Sequence, residues 1–159
     1  MENSVSQYFK ENGFDLTPVF TGENTSTVAL AAEVLGVEEG MIAKSLCMHL
    51  KEKDIILVVC GHSRIDNRKF KDAFGCKAKM LSAEETLEVT GFPVGGVCPF
   101  ALPSNVPVYL DVSLKQYDIV YPAAGTRDSA VKVVVEHLPE YTGGTWVDVC
   151  TDTSKEENA

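Results

Sequence analysis

Gly91-Phe92-Pro93-Val94-Gly95-Gly96-Val97-Cys98-Pro99-Phe100-Ala101-Leu102-Pro103 lies near the middle of a 159-residue chain, and its reading decides how the chain is organised. Three glycines and three prolines would suit a linker, yet Phe92, Val94, Val97, Phe100 and Leu102 are apolar. A flexible linker is polar; this stretch is a conformationally forced, apolar loop inside one folded unit. Glycine admits positive φ and close approach of the backbone, and each proline fixes φ and removes a donor. The amides of Gly96, Val97 and Cys98 fall in no helix or strand pattern. They serve either a buried crossover with tight turns or a bound group, and both readings stand at this point.

The flanking sequence supports a single domain. The length allows one real core and not two ordinary ones. Hydrophobic content of 45% and charged content of 23% are those of a soluble globular protein. No apolar run approaches the ~20 residues of a membrane span. Met1-Glu2-Asn3-Ser4 has neither the basic start nor the apolar core of a signal peptide, so a cytoplasmic protein with no membrane partner is expected. The acidic, polar tail 151–159 reads as disordered, leaving residues 1–150 as the domain.

The pattern of elements is α+β. Ser4 to Asn12 reads as a helix capped by Ser4. Thr25-Ser26-Thr27 precedes an Ala-rich helix closed by Gly36. Met41 to Leu50 alternates as a strand, with Lys44 on the parity of Ile42, Leu46 and Met48. A lysine there must snorkel, pair or line a pocket. Ile55 to Cys60 is a continuously apolar, buried strand. Asp66 to Phe74 is a basic helix ended by Gly75, and Ser82 with Glu85 forms a capping box. Leu16–Phe20, Ala78–Leu81, Val106–Leu110, Ile119–Tyr121, Ala130–Glu136 and Thr145–Val149 read as further strands, and His137–Tyr141 as a helical turn. Consecutive strands without intervening helices argue for a mixed or antiparallel sheet, curled or closed to a barrel, with flanking helices.

Charge and cysteine usage narrow the function. Net charge is −9, which disfavours nonspecific binding to a phosphate backbone and argues against a DNA partner. Arg64, Arg68, Lys69, Lys71, Lys77 and Lys79 nevertheless concentrate positive charge in one segment. That face suits an RNA partner or an ordinary solvated helix. The five cysteines form no C-x-x-C. Cys47-Met48-His49 and Cys60-Gly61-His62 read as core cysteines, so no metal and no cofactor are expected. Cys98 is a candidate nucleophile, but Pro99 follows it and denies it a helix N-terminus. The better combination is Lys44 with the loop. A fixed cation facing loop amides suits an ester carbonyl or phosphate whose negative charge grows in the transition state.

Ile42-Ala43-Lys44-Ser45-Leu46, Gly61 with Arg64-Ile65-Asp66, Thr90-Gly91-Phe92, Gly95-Gly96-Val97-Cys98-Pro99, Asp111 and Ala124-Gly125 occur in this order. In these residues, from about Thr25 to Tyr141, the chain resembles the YbaK/EbsC family, freestanding relatives of the editing domain of bacterial prolyl-tRNA synthetases. The resemblance implies a trans-editing deacylase that hydrolyses the ester of a mischarged tRNA, with tRNA(Pro) as the expected carrier, without metal. Its partners would be the aminoacyl-tRNA and prolyl-tRNA synthetase. Lys44 would be the essential lysine, and Gly95 and Pro99 would frame a G-x-x-x-P loop (Gly95 to Pro99) whose backbone orients a water, assisted by the tRNA 2′-hydroxyl. Val28, Ser45, Gly61, Ala123, Ala124 and Gly125 would hold the substrate, and Arg64, Arg68, Lys69 and Lys71 would meet the tRNA. Cysteine-removing members tend to carry serine where this chain has Ala123, which argues against cysteine here. A binding module that holds an aminoacyl-adenosine or tRNA without turnover is the alternative.

Overall fold

The structure, a computed structural model, describes residues 3–151. In chain order its elements are α1 (Ser4–Glu11), β1 (Val19–Phe20), α2 (Val28–Leu35), β2 (Ile42–His49), β3 (Asp54–Cys60), α3 (Asn67–Phe74), α4 (Ala83–Thr90), β4 (Val108–Asp111), β5 (Ile119–Pro122), β6 (Ser129–Ala130), β7 (Val133–Val134), α5 (Leu138–Thr142) and β8 (Thr145–Val147). Short 3-10 turns occupy Glu39–Met41, Val112–Gln116 and Val135–His137. None of these helices is long and apolar enough to cross a membrane. The tail 152–159 lies outside the described residues; Thr151 is held by its N–H to the Arg64 carbonyl, 2.8 Å.

Six strands form a curled, mixed sheet in the order β7-β5-β2-β3-β4-β8, and helices pack around it in a single α+β domain. β2 and β3 run antiparallel in continuous register from Ala43↔Cys60 to His49↔Asp54, while β2–β5, β3–β4 and β4–β8 are parallel. β3 shows why its sequence does not alternate. Ile56 and Val58 face the larger core with Phe9, Phe100, Leu110 and Val120. Ile55, Leu57 and Val59 face a second core with Phe70 of α3, Met48 and Val149. A strand buried on both faces has no polar side to show.

Helix ends follow local chemistry. Thr27 Oγ1 accepts from the Leu30 N–H, Asp66 Oδ1 accepts from Arg68 and Lys69, and Gly36, Gly75 and Gly91 close their helices in the left-handed conformation. The Ser82–Glu85 capping box is present, each side chain accepting from the other's backbone N–H at 3.1 Å. Ser82→Ala removes one of these bonds at an exposed terminus. It is expected to cost about 1 kcal/mol, read as a lower urea midpoint with unchanged slope; an unmoved midpoint contradicts it. At α1 the cap is Asn3, one residue before the expected Ser4. The Asn3 carboxamide accepts from Val5 and Ser6 and donates to the Ala124 carbonyl, 2.8 Å, a tertiary tie that serine is too short to make.

Ala130–Glu136 is not one strand. Ala130 pairs with Val19, the Val131 N–H bonds the Pro122 carbonyl, and only Val133–Val134 pair with Ile119–Val120. The inward parity of Val131, Val133 and Val135 holds across this change of partner. Ala78–Leu81 is likewise less than a strand: Met80 makes one isolated bridge to Met48.

The candidate functional site: a cavity at an interrupted strand edge

β2 has a gap in its outer edge. β5 runs beside it only at Ile42 and Ala43 and ends at Pro122, which has no N–H for the ladder. Pairing resumes where the Leu81 N–H meets the Cys47 carbonyl at 3.1 Å and the His49 N–H meets the Lys79 carbonyl at 2.8 Å. On the edge of Lys44–Leu46 away from β3 no strand pairs among the described residues, and a cavity of about 530 Å³ lies there. That volume is in the range of small-molecule sites.

Five separate segments make the wall. β2 supplies Ile42 to Cys47, and the start of α2 supplies Val28 and Ala31. The turn into α4 supplies Met80, Leu81, Ala83 and Thr86. The Gly/Pro loop supplies Val94, Gly95 and Val97, and the β5–β6 turn supplies Ala123, Ser129 and Ala130. Thr25 and Ser26 close the last side because β1 is zipped to β6 and the Thr25 N–H bonds the Arg127 carbonyl at 2.7 Å. Among the described residues the wall carries one cation, Lys44, and no carboxylate or imidazole. Lys44 Nζ donates to the Ser63 carbonyl at 3.4 Å, in the turn after β3.

The buried-crossover reading holds for the second half of the loop, while the first half lines the cavity. Pro93 to Gly96 forms a turn closed by the Gly96 N–H to the Pro93 carbonyl, 2.8 Å, with Gly95 at φ +94°. Gly95 and Val97 face the cavity. From Cys98 on, the chain is a buried crossover: Cys98 and Phe100 are fully buried, and the Phe100 ring meets Phe9 edge-on at 4.8 Å. Pro99 lies on a separate cavity of about 210 Å³ beside Tyr8 and Pro103. Gly96 fits its neighbour closely: its carbonyl accepts from the Gly125 N–H at 3.0 Å, and a Cβ there would stand 2.9 Å from the Thr126 backbone.

The structure thus gathers Lys44, Ser45, Val28, Ala123, Gly95 and Val97 on one wall. Gly96, Ala124 and Gly125 stand behind it, Ala124 fully buried. Gly61 backs the Val28 side; a Cβ there would overlap the Glu39 carbonyl and lie 3.0 Å from Val28 Cγ1. Arg64, Arg68, Lys69 and Lys71 lie on and before α3, away from the cavity wall. Arg64, Arg68 and Lys71 are exposed, whereas Lys69 is paired with Asp148 at 3.1 Å and the Cys150 carbonyl at 3.0 Å. Arg127 has no signal in the sequence, yet its Nε–H donates to the Val94 carbonyl at 2.9 Å and latches the loop to the β5–β6 turn. Thr86 is marked in sequence only by the Thr86/Thr90 repeat on one helix face; its hydroxyl lies against the Cys47 thiol.

Burial pushes the Cys98 thiol up to about 12, and its Sγ–H points to the Phe100 carbonyl. A thiol that is fully buried and held in its neutral form by that burial is a poor nucleophile. In native protein treated with iodoacetamide, peptide mass spectrometry is expected to find Cys76 modified, since it alone is not buried, and Cys98 modified only after unfolding. Rapid native labelling of Cys98 contradicts this.

A curled mixed sheet with one deep cavity let into a strand edge defines a pocket-bearing α+β domain. The family model of the aminoacyl-tRNA editing domain matches residues 22–141, and the chain belongs to that family. It is 45% identical over 149 residues to the uncharacterized protein YwhH of Bacillus subtilis (strain 168), covering 92% of each chain. It is 30% identical over 122 residues to EbsC of Enterococcus faecalis, whose name proposes a Cys-tRNA(Pro)/Cys-tRNA(Cys) deacylase, covering 76% of this chain and 74% of that one. Among solved structures, one described as a proposed trans-editing enzyme for prolyl-tRNA synthetase superimposes with a TM-score of 0.86 at 29% identity, covering 96% of this chain and 99% of that one.

Proposed function

We propose that the protein is a trans-editing deacylase that hydrolyses the ester between a mischarged amino acid and tRNA, with tRNA(Pro) as the carrier, acting in the cytoplasm without a metal. The observation that supports this reading is that Lys44, Gly95 and Val97 line one cavity. Membership of the editing-domain family and the names of its relatives support it.

The chemistry follows from the wall. Water attacks the ester carbonyl, the bond to the tRNA 3′-oxygen breaks, and a proton passes to that oxygen, giving free amino acid and tRNA. Negative charge grows on the carbonyl oxygen, where a fixed ammonium stabilises it; the Gly96 N–H is already held by the Pro93 carbonyl. The wall offers no carboxylate or imidazole as general base. The substrate's own vicinal 2′-hydroxyl, beside the ester, relays the proton: it accepts one from the attacking water as it gives its own to the leaving 3′-oxygen. Arg64, Arg68 and Lys71 are assigned to the tRNA backbone, and the net charge of −9 limits how tightly the chain alone holds it. Prolyl-tRNA synthetase is the partner that would present the substrate.

A deacylation screen across amino acids on tRNA(Pro) and tRNA(Ala) tests the reading. Release of free amino acid from one or more mischarged tRNAs is expected. Affinity for tRNA without hydrolysis at any charging state would instead select a binding module.

A further inference from the structure

The cavity opens at Val94 and Met80, wall residues that are 50% and 53% exposed. The two sides of this mouth differ in charge. Beyond Met80, α4 gives Ala83 and Thr86 to the wall and carries the exposed Glu84, Glu85 and Glu88, with Lys79 set against Glu85. On the Val94 side stands Arg127. Its Nε–H donates to the Val94 carbonyl at 2.9 Å. Its Cγ lies 3.3 Å from where a Gly95 Cβ would be, and Ser26 of the wall is packed against the same point.

Most of this guanidinium is unspent. Nε serves the latch, and among the described residues neither Nη nitrogen has a hydrogen-bond partner and no carboxylate pairs with the side chain. Asp128, its neighbour in sequence, accepts from the Thr126 hydroxyl at 2.6 Å instead. A planar fork with its terminal donors free suits a phosphate, which it meets with parallel N–H···O bonds. The substrate of the deacylase reading brings one to this place. A cavity of about 530 Å³ takes a ligand of the size of one aminoacyl nucleoside. With the ester at Lys44, the phosphodiester that precedes the terminal adenosine is left at the mouth. The acidic α4 side repels it, and Arg64, Arg68 and Lys71 lie away from the wall.

We infer that Arg127 binds the phosphate on the 5′ side of the terminal adenosine, so that the acceptor strand crosses the mouth on the Val94 side and not over α4. The inference rests on the deacylase reading above. Because the same planar group also holds the Val94 carbonyl, the bound phosphate and the turn that presents Gly95 are tied together through one side chain.

The test uses the full chain and two esters of the amino acid that the deacylation screen identifies, one on the 3′-oxygen of adenosine and one on the 3′-oxygen of adenosine 5′-monophosphate. The expected kcat/KM is higher for the phosphate-bearing ester by about tenfold or more, chiefly through KM, the worth of charge-assisted hydrogen bonds. Arg127→Gln is expected to bring that ratio to within about twofold of unity, since a neutral carboxamide has no charge to offer. Loss of the latch alone would slow both esters by the same factor and leave the ratio where it was. A ratio near unity in the native chain, or one that survives Arg127→Gln, overturns the inference and leaves the deacylase reading intact. If neither small ester is cleaved, binding decides; if no charged tRNA is cleaved either, the deacylase reading falls as well, and the same measurement applies. Calorimetry is then expected to find adenosine 5′-monophosphate bound about tenfold more tightly than adenosine, with the difference lost in Arg127→Gln. Equal affinities, or a difference that the substitution leaves unchanged, overturn the inference.

Discussion

Lys44→Ala is expected to lower kcat/KM for the ester that the screen identifies by about 10²- to 10³-fold, the usual effect of deleting one preorganised stabiliser of a developing oxyanion. The argument is electrostatic. The Nζ is held by the Ser63 carbonyl at 3.4 Å, and among the described residues the wall carries no second cation to replace it. Lys44→Arg should restore little, because a planar guanidinium differs from a point ammonium in reach and in donor geometry. The fold should persist: the side chain is only half-buried and belongs to neither large core. Thermal unfolding therefore separates a lost charge from a lost structure. Near-native activity in a folded Lys44→Ala protein removes the proposed chemistry.

Gly96→Ala is the second large effect, and it comes from backbone sterics. The new Cβ would stand 2.9 Å from both the carbonyl carbon and the nitrogen of Thr126, and 3.0 Å from the Gly125 carbonyl carbon. These are main-chain atoms that cannot swing aside as the tip of a side chain does. The two turns must separate, weakening the Gly125 N–H to Gly96 carbonyl bond and the Arg127 latch on Val94. Overpacking of this kind costs roughly 1–3 kcal/mol of stability. A shift of about 1 Å in the loop facing the ester costs on the order of 10²-fold in rate. Rate and melting temperature should fall together. A variant with unchanged kcat/KM would show that the position of this turn is immaterial to the reaction.

Much of the architecture is legible in the chain because local chemistry and tertiary demand agree there. Thr27 and Gly36, Asp66 and Gly75, and Ser82 with Glu85 and Gly91 bound their helices as the residues predict. The unbroken run Ile55–Cys60 announces a strand covered on both faces. Lys44, alone among apolar residues of its parity, announces a pocket. What stays hidden depends on partners remote in sequence. Nothing in Val131 to Val135 says that the pairing partner changes from Pro122 to Val120 along the way. The Gly/Pro spacing gives no sign that the loop turns inward after Val97, so that Gly95 faces the cavity while Cys98 enters the core and Pro99 borders a different hollow. Arg127 is an ordinary exposed residue until its contact with Val94 is seen.

The window in β2 has a kinetic corollary. Its walls come from residues near positions 25, 44, 81, 95 and 130, joined by parallel strands that neighbour each other only across long stretches of chain. Topologies dominated by such distant pairings fold slowly. During synthesis the N-terminal hairpin of β2 and β3 leaves the ribosome long before the Ser129–Ala130 segment that seals the pocket. A competent site therefore cannot exist on a nascent chain until Ser129 and Ala130 have emerged.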